Sequence, residues 1–243
     1  MLELSQAAAR ALLLAAQGLH EQPARPAVKE DVLAAIRRMG ALQIDTIHIV
    51  ARSPYLVLWS RLGSYEPRWL DELLAEGAIF EYWSHAACFL PIEDYGLYRR
   101  RMLDGNARYR DWLAAHPEVV ERVLGRVREH GETRSAEFER TDGRAGAWWD
   151  WKPEKLALEC LFMTGELMIA RRERFQRIYD LRERVLPGWD DARTPSREEV
   201  TRAHALAAVR ALGVAKATWV PDYFRIPAQG IRRLLEGLAA EEA

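Results

Sequence analysis

The sequence predicts a mainly α chain with short antiparallel β-hairpins. Three observations carry that expectation. Apolar residues recur at helical spacing in segment after segment, bounded by cap-type residues or proline at one end and by glycine at the other. Twice, short runs rich in β-branched and aromatic residues flank a polar turn. And the order of three helices followed by a hairpin appears once, recurs, and begins a third time. That is the order of tandem winged helix-turn-helix subdomains, which divide the chain as 1–112, 113–190 and an incomplete 191–243.

The elements follow in turn. Leu4, Ala8, Leu12, Ala15 and Leu19 share one helical face, with Ser5 near the start. Pro23 and Pro26 mark a connector over Glu21 to Pro26. A second helix over Val28 to Met39 carries Val32, Leu33 and Ile36 and stops at Gly40. From Ala41 to Val50 the aliphatic residues crowd together, which favours an extended start. Ser53-Pro54 pairs a cap with a first-turn proline and opens a helix that Gly63 closes. Pro67 and Gly77 bracket another, one helix more than the simplest form of the motif contains. Ala78 to Trp83 and Ala86 to Leu90 then make a hairpin around Ser84-His85.

In the second subdomain Val119, Val120, Val123, Leu124 and Val127 form a helical stripe, and Ser135 to Arg140 a short helix. Trp148 to Trp151 reads as extended. Pro153 opens a helix to Thr164, ended by Gly165, and strands Glu166 to Ala170 and Arg174 to Leu181 flank a turn at Arg171-Arg172-Glu173. The third subdomain has a helix from Ser196 to Leu212, an aromatic stretch Trp219 to Phe224 and a helix from Ala228 to Ala240. It ends before any hairpin, and the chain is accordingly expected to be a piece of a longer protein.

At 243 residues, 49% hydrophobic and 29% charged, the composition is that of a globular protein with a sizeable core. No apolar run reaches the roughly 18 residues of a membrane span, and the N-terminus lacks the layout of a secretion signal, so a cytoplasmic protein is expected. Cys88 and Cys160 lie far apart in apolar stretches, which argues against a disulfide framework or a zinc site. A net charge of −1 excludes a uniformly basic binder, yet 31 of the 35 basic residues are arginines, whose planar fork suits phosphates and base edges. Genomic base composition would produce the same bias.

Gln43-Ile44-Asp45 is the leading candidate for chemistry. In an extended segment alternate side chains share a face, so Gln43 and Asp45 point outward together while Leu42 and Ile44 point to the core. An amide and a carboxylate side by side can hold one water, the carboxylate taking its proton or stabilising a nearby cation and the amide fixing its orientation. The plainer alternative is that Asp45 caps a helix beginning near Thr46. Arg52 and Ser53, at a helix N-terminus, can grip a phosphate or be an ordinary cap and a solvated arginine. His85 at the hairpin tip can enter a groove. Arg171, Arg172 and Arg174, with Arg177, make the second hairpin basic, and Lys152 and Lys155 open the helix before it, the places where winged helices meet a DNA backbone. Glu173, Asp180 and Glu183 dilute that run toward a solvated charged face. Arg99, Arg100, Arg101, Arg108 and Arg110 form a further basic cluster, and Trp148, Trp149 and Trp151 suit base stacking or packing between subdomains. Gly-rich phosphate loops, HExxH and GxSxG are absent.

Three strings resemble a known family. They are Leu42-Gln43-Ile44-Asp45-Thr46-Ile47; Arg52-Ser53-Pro54-Tyr55 with Leu58-Trp59-Ser60-Arg61-Leu62-Gly63; and Glu81-Tyr82-Trp83-Ser84-His85-Ala86-Ala87. Together they are similar to the winged-helix DNA glycosylases of the YcaQ and AlkZ group, whose members run longer, with a third complete winged helix and a C-terminal β-barrel. The resemblance implies a monofunctional N-glycosylase of base-excision repair that removes N7-alkylated purines and unhooks interstrand crosslinks. Gln43 with Asp45 resembles the branch bearing a carboxylate. Also implied are Asp45 and Gln43 as catalytic residues, no catalytic lysine, no metal or organic cofactor, and a monomer acting on double-stranded DNA. The competing reading is a non-catalytic tandem winged-helix DNA-binding protein or transcription regulator; a weaker one makes the tryptophans anchors for protein contacts.

Overall fold

A computed structural model describes residues 3–20, 23–138 and 152–241. Its first helix, α1 (Gln6–Ala16), starts where the Ser5 side chain accepts the amide of Ala8. Next, α2 (Lys29–Met39) starts where Asp31 reaches back to the amide of Val28 while Arg25 grips the same carboxylate. It ends on Gly40 at φ 69°, a left-handed stop that a side chain resists; a Cβ there would lie 2.9 Å from the Phe224 ring. The chain continues through β1 (Leu42–Gln43), α3 (Ser53–Leu62), α4 (Arg68–Ala75), β2 (Ile79–Trp83) and β3 (Ala87–Pro91). The short β1 pairs antiparallel with β3, Leu42 opposite Phe89 and Gln43 opposite Cys88, giving the sheet order β1-β3-β2.

Two helices bridge to the next unit, α5 (Tyr95–Asp104) and α6 (Ala107–Ala115). Then α7 (Pro117–His130) and α8 (Pro153–Thr164) lead into the hairpin β4 (Leu167–Glu173) and β5 (Gln176–Leu181), and α9 (Arg182–Val185) closes it. Thr133 forms an isolated antiparallel bridge with Tyr179, in the place that β1 occupies beside β3. Helix, strand contact, helix and hairpin thus occur twice in the same order. A third run is helical only: α10 (Arg197–Leu212), capped by Ser196 and Glu199 acting reciprocally, α11 (Val220–Phe224) and α12 (Ile231–Glu241).

The expected mainly helical architecture with short antiparallel hairpins is what the structure has. One element differs in register. The second hairpin turns at Arg174-Phe175, not at Arg171-Arg172-Glu173: the ladder continues through those three residues to Glu173 opposite Gln176, with a bulge between Ile169 and Arg171. The Ser135 helix is a single 3₁₀ turn ending at Glu137. Trp148, Trp149 and Trp151 lie outside the described residues.

One continuous apolar core runs from Val32 to Leu181 and serves both hairpin-bearing units. Its bulk is aromatic: Phe80 packs edge-on against Tyr95 and Tyr98, and Tyr82 against Tyr98 and Phe162. The third run has its own small core of Ala205, Ala208, Val220, Phe224 and Ile231. It is tied to the first by the Tyr223 hydroxyl donating to the Met39 carbonyl at 2.8 Å.

Candidate functional site at the end of a short strand

Leu42 and Ile44 are buried and Gln43 is exposed, the alternation that an extended backbone imposes. Asp45, just beyond the strand, is half-buried. Its Oδ1 accepts the amide of Ile47 at 2.8 Å, and among the described residues Oδ2 has no hydrogen-bond partner. No helix follows: residues 46–52 are irregular and α3 begins only at Ser53. The capping alternative is therefore wrong as a helix cap. What Asp45 makes is a two-residue side-chain turn that orients one oxygen and leaves the other.

His85, from the tip between β2 and β3, comes to the same place. Its Nε2 lies 3.2 Å from Gln43 Oε1. A carbonyl oxygen only accepts, so Nε2 carries the hydrogen, and Nδ1 is left as a buried lone pair without a partner. Burial, and then the charge of Arg225, push this imidazole below the ordinary histidine range and keep it neutral at pH 7. The contact holds the Gln43 carbonyl end and leaves its NH₂ for another acceptor. Spacing could not have revealed it, because the partners are 42 residues apart.

The tip itself is held from below. Arg101 donates to the carbonyls of Trp83 and Ser84 at 2.8 and 3.0 Å, and the Tyr98 hydroxyl donates to Ser84 Oγ at 3.1 Å. His204 of α10 packs edge-on against Tyr98 and stacks on Phe224. None of these supports was singled out in the sequence except Arg101, as part of a basic cluster. That cluster is not one face: Arg99 is buried and paired with Asp191 at 2.7 Å, and Arg100 pairs with Asp104 at 2.9 Å.

Arg52 is the N-cap of α3, one residue earlier than expected, and the Ser53 hydroxyl lies 3.4 Å from the Gln43 carbonyl. The Arg52 guanidinium stacks 4.1 Å from the Phe175 ring with its Nε buried and, among the described residues, without a partner; stacking on a ring face does not use the in-plane N–H groups of the guanidinium. Arg172 stacks over the same ring at 4.5 Å. Phe175 and Arg174 both have positive φ, 68° and 48°, at a two-residue turn that normally takes Asn-Gly. The strain, of order 1–3 kcal/mol per residue, is offset at Phe175 by this ring between two cations and by contact with Tyr55.

Arg172, expected among the DNA-facing arginines, is turned inward. Its side chain is only 5% exposed and donates to Glu81 Oε2 at 2.8 Å. Arg177, directly opposite on β5, donates to Glu81 Oε1 at 2.5 Å and to Glu159 at 2.8 and 2.9 Å. Two like charges facing across strands repel, and the fully buried Glu81 from the first hairpin holds them together. Arg171 is partly exposed but engaged by Glu132 at 2.6 Å. Arg174 is exposed at the tip. Lys152 donates to the Phe138 carbonyl at 2.7 Å, and burial lowers its pKa; Lys155 is half-buried on the first turn of α8.

A cleft of about 830 Å³ lies between α5, α6, α8 and the third run, lined by Trp83, Tyr98, Arg101, Arg108, His204 and Arg225 among others. Gln43 and Asp45 do not line it; they stand at the strand end, beside the hairpin tip whose flank the cleft shares.

Fold and site define a protein of repeated helix-and-hairpin units that presents an amide, a carboxylate and a neutral imidazole at one strand end. The model of the DNA glycosylase AlkZ-like family matches residues 36–243. This chain belongs to that family. Among solved structures it is similar in fold to the Streptomyces sahachiroi DNA glycosylase AlkZ, with a TM-score of 0.63 and 15% sequence identity over 98% of this chain. It spans 66% of that protein's length. Among the described residues no helix is long and apolar enough to cross a membrane.

Proposed function

We propose that this chain acts as a monofunctional DNA N-glycosylase that removes N7-alkylated purines and unhooks interstrand crosslinks built on them. The observation that carries the reading is the outward pair Gln43 and Asp45, with His85 bonded to Gln43. Family membership supports the reaction class.

The chemistry fits two polar groups and no more. Alkylation at N7 makes guanine cationic, so the C1′–N9 electron pair leaves with a base that becomes neutral, and no acid is needed to protonate it. What remains is an oxocarbenium-like sugar. Asp45 stabilises that charge through the oxygen not held by the Ile47 amide, and the same carboxylate takes the proton of the water that attacks C1′. The Gln43 amide, fixed at its carbonyl end by neutral His85, directs its NH₂ to the water oxygen. Arg52 and Ser53, beside the pair, hold the flanking phosphate. No lysine takes part, so no Schiff base forms and the strand is not cut.

On this reading the repeated units are winged helices over 1–112 and 113–190, residues 191–243 belong to a third, and the protein works as a monomer on double-stranded DNA in the cytoplasm. The test is Asp45→Asn on a duplex carrying 7-methylguanine, with alkaline heating to reveal abasic sites. Base release falls a hundredfold or more, on the order of general acid–base effects, while duplex binding survives. Release at the parental rate would remove Asp45 from the mechanism.

A further inference from the structure

Between Asp45 and Arg52 the chain exposes a run of aliphatic side chains. Ile47 is 67% exposed, Ile49 88% and Val50 83%, and His48 between them is also exposed. These are the three most exposed large hydrophobic residues among those described. Isolated apolar side chains on a surface need no explanation, but three within four residues do. The segment is not a loose end. It is fixed at its start by the Asp45–Ile47 turn and at its end by Arg52, whose guanidinium is stacked on Phe175.

We propose that residues 47–50 form an aliphatic wedge that enters the base stack of duplex DNA at the lesion. The proposal rests on the glycosylase reading above, and the geometry names the partner. Any deoxyribose that reaches Asp45 brings its own base and the neighbouring step within reach of this segment. At roughly 3.3–3.6 Å per residue, positions 47 to 50 extend no more than about 18 Å from Asp45, a few base steps at 3.4 Å each. Proteins that unstack DNA do so with side chains of this kind, Ile and Leu among them, inserted between base pairs. Arg52 stands at one end of the run, the Asp45 carboxylate that faces the sugar at the other, and His48 within it. A duplex backbone favours such an edge and its stacked bases favour the aliphatic centre. The wedge opens the stack so that C1′ becomes accessible to Asp45 and its water.

The test is the double variant Ile49→Ser, Val50→Ser in the full chain. Both side chains are solvated, so folding survives, checked by an unchanged melting temperature. Release of 7-methylguanine from a fully paired duplex falls tenfold or more. The same lesion opposite an abasic gap, where the stack is already open, is released at close to the parental rate. In parallel, 2-aminopurine next to the lesion brightens when the parental protein binds and stays dark with the variant. Equal losses in both contexts overturn the proposal, as does an unchanged rate on paired duplex or a parental dimer that the variant dissolves. If the parental protein released no base from either substrate, the glycosylase reading would fail, and the 2-aminopurine signal would still decide the wedge: brightening with parent alone supports it, and no brightening overturns it.

Discussion

The two hairpins are the same element placed in the same order, and they are used in opposite ways. The first has few charges and puts His85 against Gln43 at the surface. The second, which has the arginines, turns two of them inward: Arg172 and Arg177 close on Glu81 of the first hairpin. The bulge in β4 helps set that aim, since one extra residue before Arg171 changes the face on which the following side chains fall. A basic hairpin is therefore not evidence of a nucleic-acid contact until the carboxylates that face it are known. Here the charge-rich hairpin is the scaffold, and the charge-poor one reaches the site.

The comparison breaks most visibly at Glu81. Its carboxylate is fully buried between two guanidinium groups, and removing one member of such a group leaves uncompensated charge inside the protein. Glu81→Gln should cost about 3–5 kcal/mol of folding stability, measured by urea unfolding. Glu173→Gln, on the exposed tip of the second hairpin, should cost less than about 1 kcal/mol. Equal effects would mean that the buried staple contributes nothing special.

Next in size is the support beneath the first hairpin. Burial pushes the His204 pKa down to about 4, so the folded protein keeps this ring neutral while the unfolded chain, titrating near 6.5, takes up a proton. Stability from the neutral ring is complete above pH 6.5 and is lost as pH falls toward 4. About 2.5 pKa units correspond to about 3 kcal/mol. Burial raises Asp94 to about 6, which works in the opposite direction over much of the same range, so a single pH scan conceals the effect. The difference between parent and His204→Phe does not. Between pH 7 and pH 4 the variant should gain about 3 kcal/mol relative to the parent, read as converging or crossing melting temperatures; a constant gap would show that His204 titrates in the fold as it does in the unfolded chain.

What the sequence made legible, and what it did not, divides along the same line. Local rules placed the helices that have local stops: Pro153 and Gly165 bound α8, and Ser196 begins α10, as read. The outward placement of Gln43 also followed from strand alternation alone. Contacts closed by distant residues were invisible. Nothing near Glu81 announces a carboxylate buried among partners more than 90 residues away, and nothing near Arg172 says it will be spent there. The second hairpin's turn was misplaced for a related reason. Arg174-Phe175 has no turn chemistry of its own, and the Phe175 ring is held by Arg52 and Tyr55 from another unit.

A smaller effect sharpens what the first hairpin contributes. His85→Ala removes one hydrogen bond to Gln43, worth about 0.5–1.5 kcal/mol, and so should slow base release about threefold to tenfold. The melting temperature should stay within about 2 °C, since the ring is only half-buried. An unchanged rate would show that Gln43 orients itself without the hairpin.

The smallest effect concerns the arginines left on the second hairpin's surface. Arg174 is exposed at the strained tip, whereas Arg171 is already engaged by Glu132 and lies 3.7 Å from Glu173. A phosphate that displaced Glu132 would have to break an ion pair to gain one, so its net return is small, while Arg174 only exchanges water. Each phosphate neutralised releases condensed counterions and steepens the salt dependence of binding by about 0.9 in log–log slope. Arg174→Ala should therefore flatten the slope for duplex binding by about one unit, with affinity falling by a similar factor for every sequence. Arg171→Ala should leave it unchanged. The opposite pattern would mean that the Glu132 pair opens on DNA, and that the second hairpin is less of a scaffold than its buried arginines imply.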